Sequence, residues 1–252
     1  MATRLYFPLS YAPSTEWAST MTSNPAFAAW GQTTGALRRV MVPQAVANDY
    51  ANIIDALGNG ASISTTTPGN SALHVQLISL PMIAGLGFTT GTTFKCQIQG
   101  FESAVNDNVI NRVRALRVFS RDGSTVQSTL IALGNATSVV EWNTSLRNLT
   151  FLAATASGAN YTTVAGDRLV LELGHNDSSG ATIAATMRRG VTGQSADLGE
   201  NETDTTTTLR PWFESSLNLT FEQSDAIRRR EPRNSIAMSD YDGFALDGWR
   251  SL

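Results

Sequence analysis

The residues able to do chemistry are few and scattered. His74 and His175 are the two histidines, and neither has a serine or cysteine nucleophile at motif spacing around it. Cys96 sits on the apolar side of the alternating run Phe94-Lys95-Cys96-Gln97-Ile98-Gln99, where a thiol is a small buried hydrophobe rather than a nucleophile. HExxH and CxxC spacings are absent, and Gly85-Leu86-Gly87 lacks the Lys-Ser/Thr that completes a phosphate loop. One acidic run stands out. Asp197, Glu200, Glu202 and Asp204, with Asn201 and Thr203 among them, offer the oxygen ligands that a hard cation such as calcium takes. Their spacing is not that of an EF-hand, and a solvated acidic loop reads the same way. The reading is a protein that is not an enzyme and needs no cofactor, with those four carboxylates as its metal candidates.

The C-terminal stretch offers contact chemistry instead. Residues 222–252 hold 11 charged side chains in 31 positions, a density nearly three times that of the preceding chain. Arg228, Arg229, Arg230 and Arg233 stand beside the apolar and aromatic residues Tyr241, Phe244 and Trp249. Aromatics spaced through a charged, Gly-containing tail do not build a core alone. They suit an arm that lies on another surface, with the aromatics as anchors and the arginines at the rim. The competing reading is an arm packed on its own domain.

Composition bounds the classes. The chain has 252 residues, a net charge of −3 and a sequence pI near 5.4. Seventeen of its 18 basic residues are Arg and one is Lys95, without the basic face of a nucleic-acid binder. No apolar run reaches the roughly 18–20 residues of a membrane span, and the start lacks a signal-peptide layout. One cysteine excludes an internal disulfide framework. The seven Asn-x-Ser/Thr triplets follow from a sequence holding 30 Thr and 24 Ser.

The elements that position these residues read as strands. The 94–99 run alternates with a period of two, as does Trp212 to Phe221, where Phe213, Leu217, Leu219 and Phe221 share one face. Further strands are expected at Leu73–Leu80, Val113–Phe119, Thr129–Leu133, Leu169–Leu173 and Thr182–Arg188. Gly, Asn, Asp and Ser clusters separate most of them, as in Arg121-Asp122-Gly123-Ser124. This spacing predicts an all-β, antiparallel β-sandwich, jelly-roll-like, rather than a parallel sheet with crossover helices. Val46, Tyr50, Ile53, Ile54 and Leu57 fall at helical spacing between Pro43 and Gly58, which fits a helix or an anchored loop equally. The organisation expected is an extended N-terminal segment (1–35), the sandwich (36–221) and the C-terminal arm (222–252).

Several pieces, in order, resemble a group of tailed-bacteriophage virion structural proteins with a jelly-roll-like β-sandwich. They are Pro25-Ala26-Phe27-Ala28-Ala29-Trp30, Arg38-Arg39, Cys96-Gln97-Ile98-Gln99-Gly100 and Arg117-Val118-Phe119-Ser120-Arg121-Asp122-Gly123-Ser124. Ala165 to Gly174 follows, then Asp197 to Asp204 ahead of Pro211-Trp212-Phe213-Glu214. The match spans residues 1–221, and its order and spacing carry it. It implies a virion part assembled in the host bacterial cytoplasm, with no catalytic residues. The function it implies is capsid decoration (cement) or an accessory head role. Partners would be other virion proteins, the major capsid protein or tail components, and copies of itself, a trimer being one such form. Neither nucleic acid nor membrane is expected as a partner. The alternative is a lectin-like tail or appendage protein that binds a host glycan, for which Trp142, Asn143 and Tyr161 are the platform candidates.

Overall fold

The computed structural model describes residues 2–7, 17, 27–43, 58–65, 70–105, 107, 109, 112–136, 141–158, 160–176, 183–190, 196–205 and 209–222. The chain divides into the unit Met1–Glu222 and a second unit, Gln223–Leu252. All of the second unit, and residues 44–57 with the expected helix, lie outside the described residues.

The described elements are strands. In chain order they are β1 (Thr3–Tyr6), β2 (Leu37–Pro43), β3 (Gly58–Thr65), β4 (Ser71–Ser79) and β5 (Gly87–Phe88). Then come β6 (Thr93–Glu102), β7 (Arg112–Phe119), β8 (Val126–Asn135), β9 (Arg147–Thr155) and β10 (Tyr161–Thr162). The last are β11 (Arg168–Asn176), β12 (Ile183–Gly190), β13 (Ala196–Asp197), β14 (Leu209–Arg210) and β15 (Trp212–Ser215). One sheet centres on β6, with β9 along one edge and β15 and β12 end to end along the other. There β15 leads on to β1, and β12 to β3. The other sheet runs β2-β4-β11-β7-β8. Strand β2 joins them: its last residues pair with β1, and Leu37–Met41 pairs in parallel with β4. The architecture is a mainly antiparallel β-sandwich.

Alternation builds its centre. Phe94, Cys96 and Ile98 of β6 point inward, as do Leu169, Leu171 and Leu173 of β11, and they meet in one core with Phe213, Phe151 and Trp142. The Cys96 thiol is buried there, and burial pushes its pKa far up, so it is an inert core group. Strand β1 lies between β15 and β2, so the sandwich begins at Thr3, far ahead of residue 36.

The expected strand over 212–221 stops at Ser215. The Ser215 hydroxyl accepts the Leu217 N–H, and the Ser216 hydroxyl takes the Thr93 N–H in place of a backbone carbonyl, so side chains take over where the ladder ends. Leu217 and Phe221 still pack on the core but are only part-buried. Phe213 is fully buried and stacks on Phe94 with centroids 6.0 Å apart. Phe213→Ala should therefore cost about 3–5 kcal/mol in denaturant unfolding, and Phe221→Ala clearly less; equal losses would contradict the early strand end.

Candidate functional site

The acidic loop does a structural task. Strand β9 is the outer strand beside β6, and its outward-directed N–H groups need acceptors. The loop supplies them: the Asn148 N–H donates to the Asp204 carbonyl at 2.8 Å, and the Thr150 N–H donates to Glu202 Oε1 at 3.0 Å. The Asn148 side-chain amide donates to the Gly199 carbonyl, and the Asn201 side chain holds the loop by accepting the Thr203 and Asp204 N–H groups. Glu200 turns outward to the ammonium of Lys95, at 2.9 Å.

Asp197 is engaged elsewhere. It sits in β13 and pairs with Arg4 at 2.9 Å and Arg210 at 3.0 Å, and it accepts the Tyr6 hydroxyl. Burial, then that hydrogen bond, pushes the Tyr6 pKa up to about 12. Arg4 also pairs with Glu214 and lies 3.9 Å over the Trp212 ring. The four acidic candidates therefore separate into three environments. Among the described residues, no three His, Cys, Asp or Glu side chains converge as a metal group.

Sequence reasoning missed the most heavily bonded carboxylate. Glu172 lies on the outer face of β11, fully buried, inside the apolar run Leu169-Val170-Leu171-Glu172-Leu173. Its Oε1 accepts Gln76 Nε2 at 2.8 Å from β4 and Arg117 Nη2 at 3.0 Å from β7. Its Oε2 accepts the Trp30 indole N–H at 2.8 Å and the Ala28 N–H at 2.9 Å. Gln76 in turn accepts Arg38 Nε from β2. Burial pushes the Glu172 carboxyl up, while Arg117 and the N–H donors work against that rise. The one signal for this residue in the sequence is a single acid in an otherwise apolar strand.

Trp17 and residues 27–30 thus lie on the outer face of the β11 sheet. Trp30 packs on Leu73 and Val113, and Gly174 is needed beneath it: an added Cβ would lie 1.9 Å from the Ala72 carbonyl and 2.6 Å from the indole. Trp17 fills a second socket on Ile78, Val170 and Phe119, and its N–H donates to the Arg121 carbonyl. Gly123, at φ 73°, forms one wall.

The histidines meet in the core. The β4–β11 register steps from Leu173↔Val75 to Gly174↔Leu73, so His74 is an extra residue and joins Val75 on the inner side. His74 Nε2 and His175 Nδ1 lie 2.7 Å apart, both buried beside Trp142. Trp142 is a core ring, not an exposed platform, which removes it as a glycan-stacking candidate. Asn143 accepts the Ser145 N–H, and the Tyr161 hydroxyl donates to Asp167. Arg228, Arg229, Arg230, Arg233, Tyr241, Phe244 and Trp249 lie outside the described residues.

No protein-family model and no curated protein matches the sequence. Among solved structures, the chain is similar to infectious bursal disease virus of the Gt strain, with 12% identity over 64% of this chain and 34% of that chain (TM-score 0.30). The Gx strain structure gives 13% identity, 64% and 33% coverage, and TM-score 0.30. The chain spans about a third of the length of these neighbours, and so loose an overlap decides nothing about its role.

Two outcomes follow from this geometry. Glu172→Gln puts an amide N–H among four donors and leaves Arg117 buried without its counter-charge; unfolding free energy should fall by about 3–5 kcal/mol, measured in urea. Glu102 is buried with its carboxylate accepting the Val109 N–H; desolvation by burial raises its pKa, with smaller pushes from Glu141 and Asp107. A raised folded pKa adds stability below the ordinary carboxylate range and loses it as pH rises through the folded value. Glu102→Gln keeps the acceptor, so its stability relative to the parent should improve from pH 4 to pH 7. A constant difference across that range would contradict the assignment.

Proposed function

We propose that this chain is a bacteriophage virion structural protein, a capsid decoration or accessory head subunit that acts by contact rather than catalysis. Its partners are other virion proteins and copies of itself, in a homo-oligomer, and its arm is residues 223–252. One observation carries the reading. Among the described residues the sandwich buries its apolar groups on both the inner face and the outer face of the β11 sheet. Only Ile83, Val105 and Val164 remain as exposed large hydrophobics. The anchor chemistry for a neighbour is thereby left to Tyr241, Phe244 and Trp249 of the tail, with Arg228, Arg229, Arg230 and Arg233 available for its rim. The resemblance of the ordered sequence segments to phage virion proteins is in keeping with the same reading.

Aromatic anchors dominate contact energies, whereas an exposed ion pair adds only about 0–1 kcal/mol. Trp249→Ala should strongly reduce retention of the protein on purified particles, and Arg229→Ala should have a small, salt-dependent effect. Full retention of a chain ending at Glu222 would overturn the arm.

A further inference from the structure

We infer that the His74–His175 pair is an acid-sensitive switch that weakens the sandwich when its surroundings turn mildly acidic. Two observations carry this inference. His74 Nε2 and His175 Nδ1 lie 2.7 Å apart in the core, and the two residues are 3% and 0% exposed. They are also the only histidines of the chain, and histidine is the side chain whose ordinary pKa, about 6.5, falls between pH 5 and 8.

The spacing limits the proton count. Two imidazolium rings carry a proton on each of four nitrogens, and the 2.7 Å gap between Nε2 and Nδ1 has room for one. The folded pair therefore holds at most three ring protons, whereas the same two residues in the unfolded chain hold four at low pH. This limit stands whatever else the rings contact. The fold also keeps the rings together: β4 and β11 are neighbours inside their sheet, the register step turns His74 inward, and Trp142 packs on both rings. Strand β4 carries no other titratable residue, and Glu172 of β11 lies on the outer face. On β7, Arg112 stands opposite His175 in the ladder, and Arg114 donates to the Gly134 carbonyl. Beside Trp142 are Glu141 and, through Val109, Glu102 of β6, with Arg147 of β9 near it. These charges set where the first extra proton enters; they do not make room for a second. A folded state that binds fewer protons than the unfolded one keeps its stability above the unfolded histidine pKa and loses it as pH falls below that value. Relief comes from parting the rings, which loosens the β4–β11 pair at its bulge.

The test is urea unfolding of the full chain at pH 6 and at pH 5, for the parent and for the double variant His74→Gln/His175→Gln. With one proton fewer in the folded pair, the unfolding constant of the parent should grow at least about sixfold over this step relative to the double variant. The carboxyls of Glu102 and Glu172, raised by burial, act in the opposite direction. Both proteins contain them, so the ratio isolates the histidines. Nitrogen NMR of the folded parent, isotope-labelled at histidine, gives an answer that does not depend on the folding of the double variant. At least one of the four ring nitrogens should still lack a proton at pH 5. A ratio that does not change with pH, or four protonated ring nitrogens in the folded parent, would overturn the switch.

Discussion

Glu172 sits where a charge is most costly, buried on the outer face of a central strand, and each of its oxygens takes two donors from different parts of the chain. Removing a carboxylate from water costs several kcal/mol unless its lone pairs are filled and a counter-charge is near. Arg117 and Gln76 meet half of that requirement from within the sheet. The other half comes from Ala28 and Trp30, about 140 residues earlier in the chain, so the sheet face is electrostatically complete only with the N-terminal segment in place. That constraint explains why Trp30 and Trp17 lie where they do, and why strands β4, β7 and β11 carry apolar residues on both faces.

The same logic of covering runs through the opposite sheet. Its outer strand, β9, is shielded by the acidic loop, and the Tyr6–Trp212 surface by Leu198 and Leu209 around β13 and β14. A sandwich that shields an exposed edge strand limits uncontrolled strand pairing with other copies.

Much of this was legible in the sequence, and the failures have physical causes. The alternation of Phe94, Cys96 and Ile98 gave β6, and the apolar run at 169–173 gave β11. Strand β9 escaped because its register steps from Cys96↔Leu152 to Gln97↔Thr150, so Phe151 is an extra residue and the period of two is broken. The same kind of step hid the inward turn of His74. The acidic loop was visible as a cluster of carboxylates, but its acceptors answer backbone N–H groups, which carry no residue code. Trp142 looked like a rim aromatic because nothing in its neighbours reveals the histidine pair it packs beside. The partners of Glu172 were out of reach for a different reason: long-range hydrogen bonds leave no local period.

The central claim is that the N-terminal segment and the β11 sheet form one cooperative unit through Glu172. Native-state amide exchange of the full chain tests it most directly. If the claim holds, the Ala28 N–H, which donates to the buried carboxylate, exchanges only through the global opening that releases the β11 amides of Val170 to Leu173, with the same free energy and denaturant dependence. Exchange of Ala28 through a local opening, with small denaturant dependence and little protection while β11 stays closed, would contradict it.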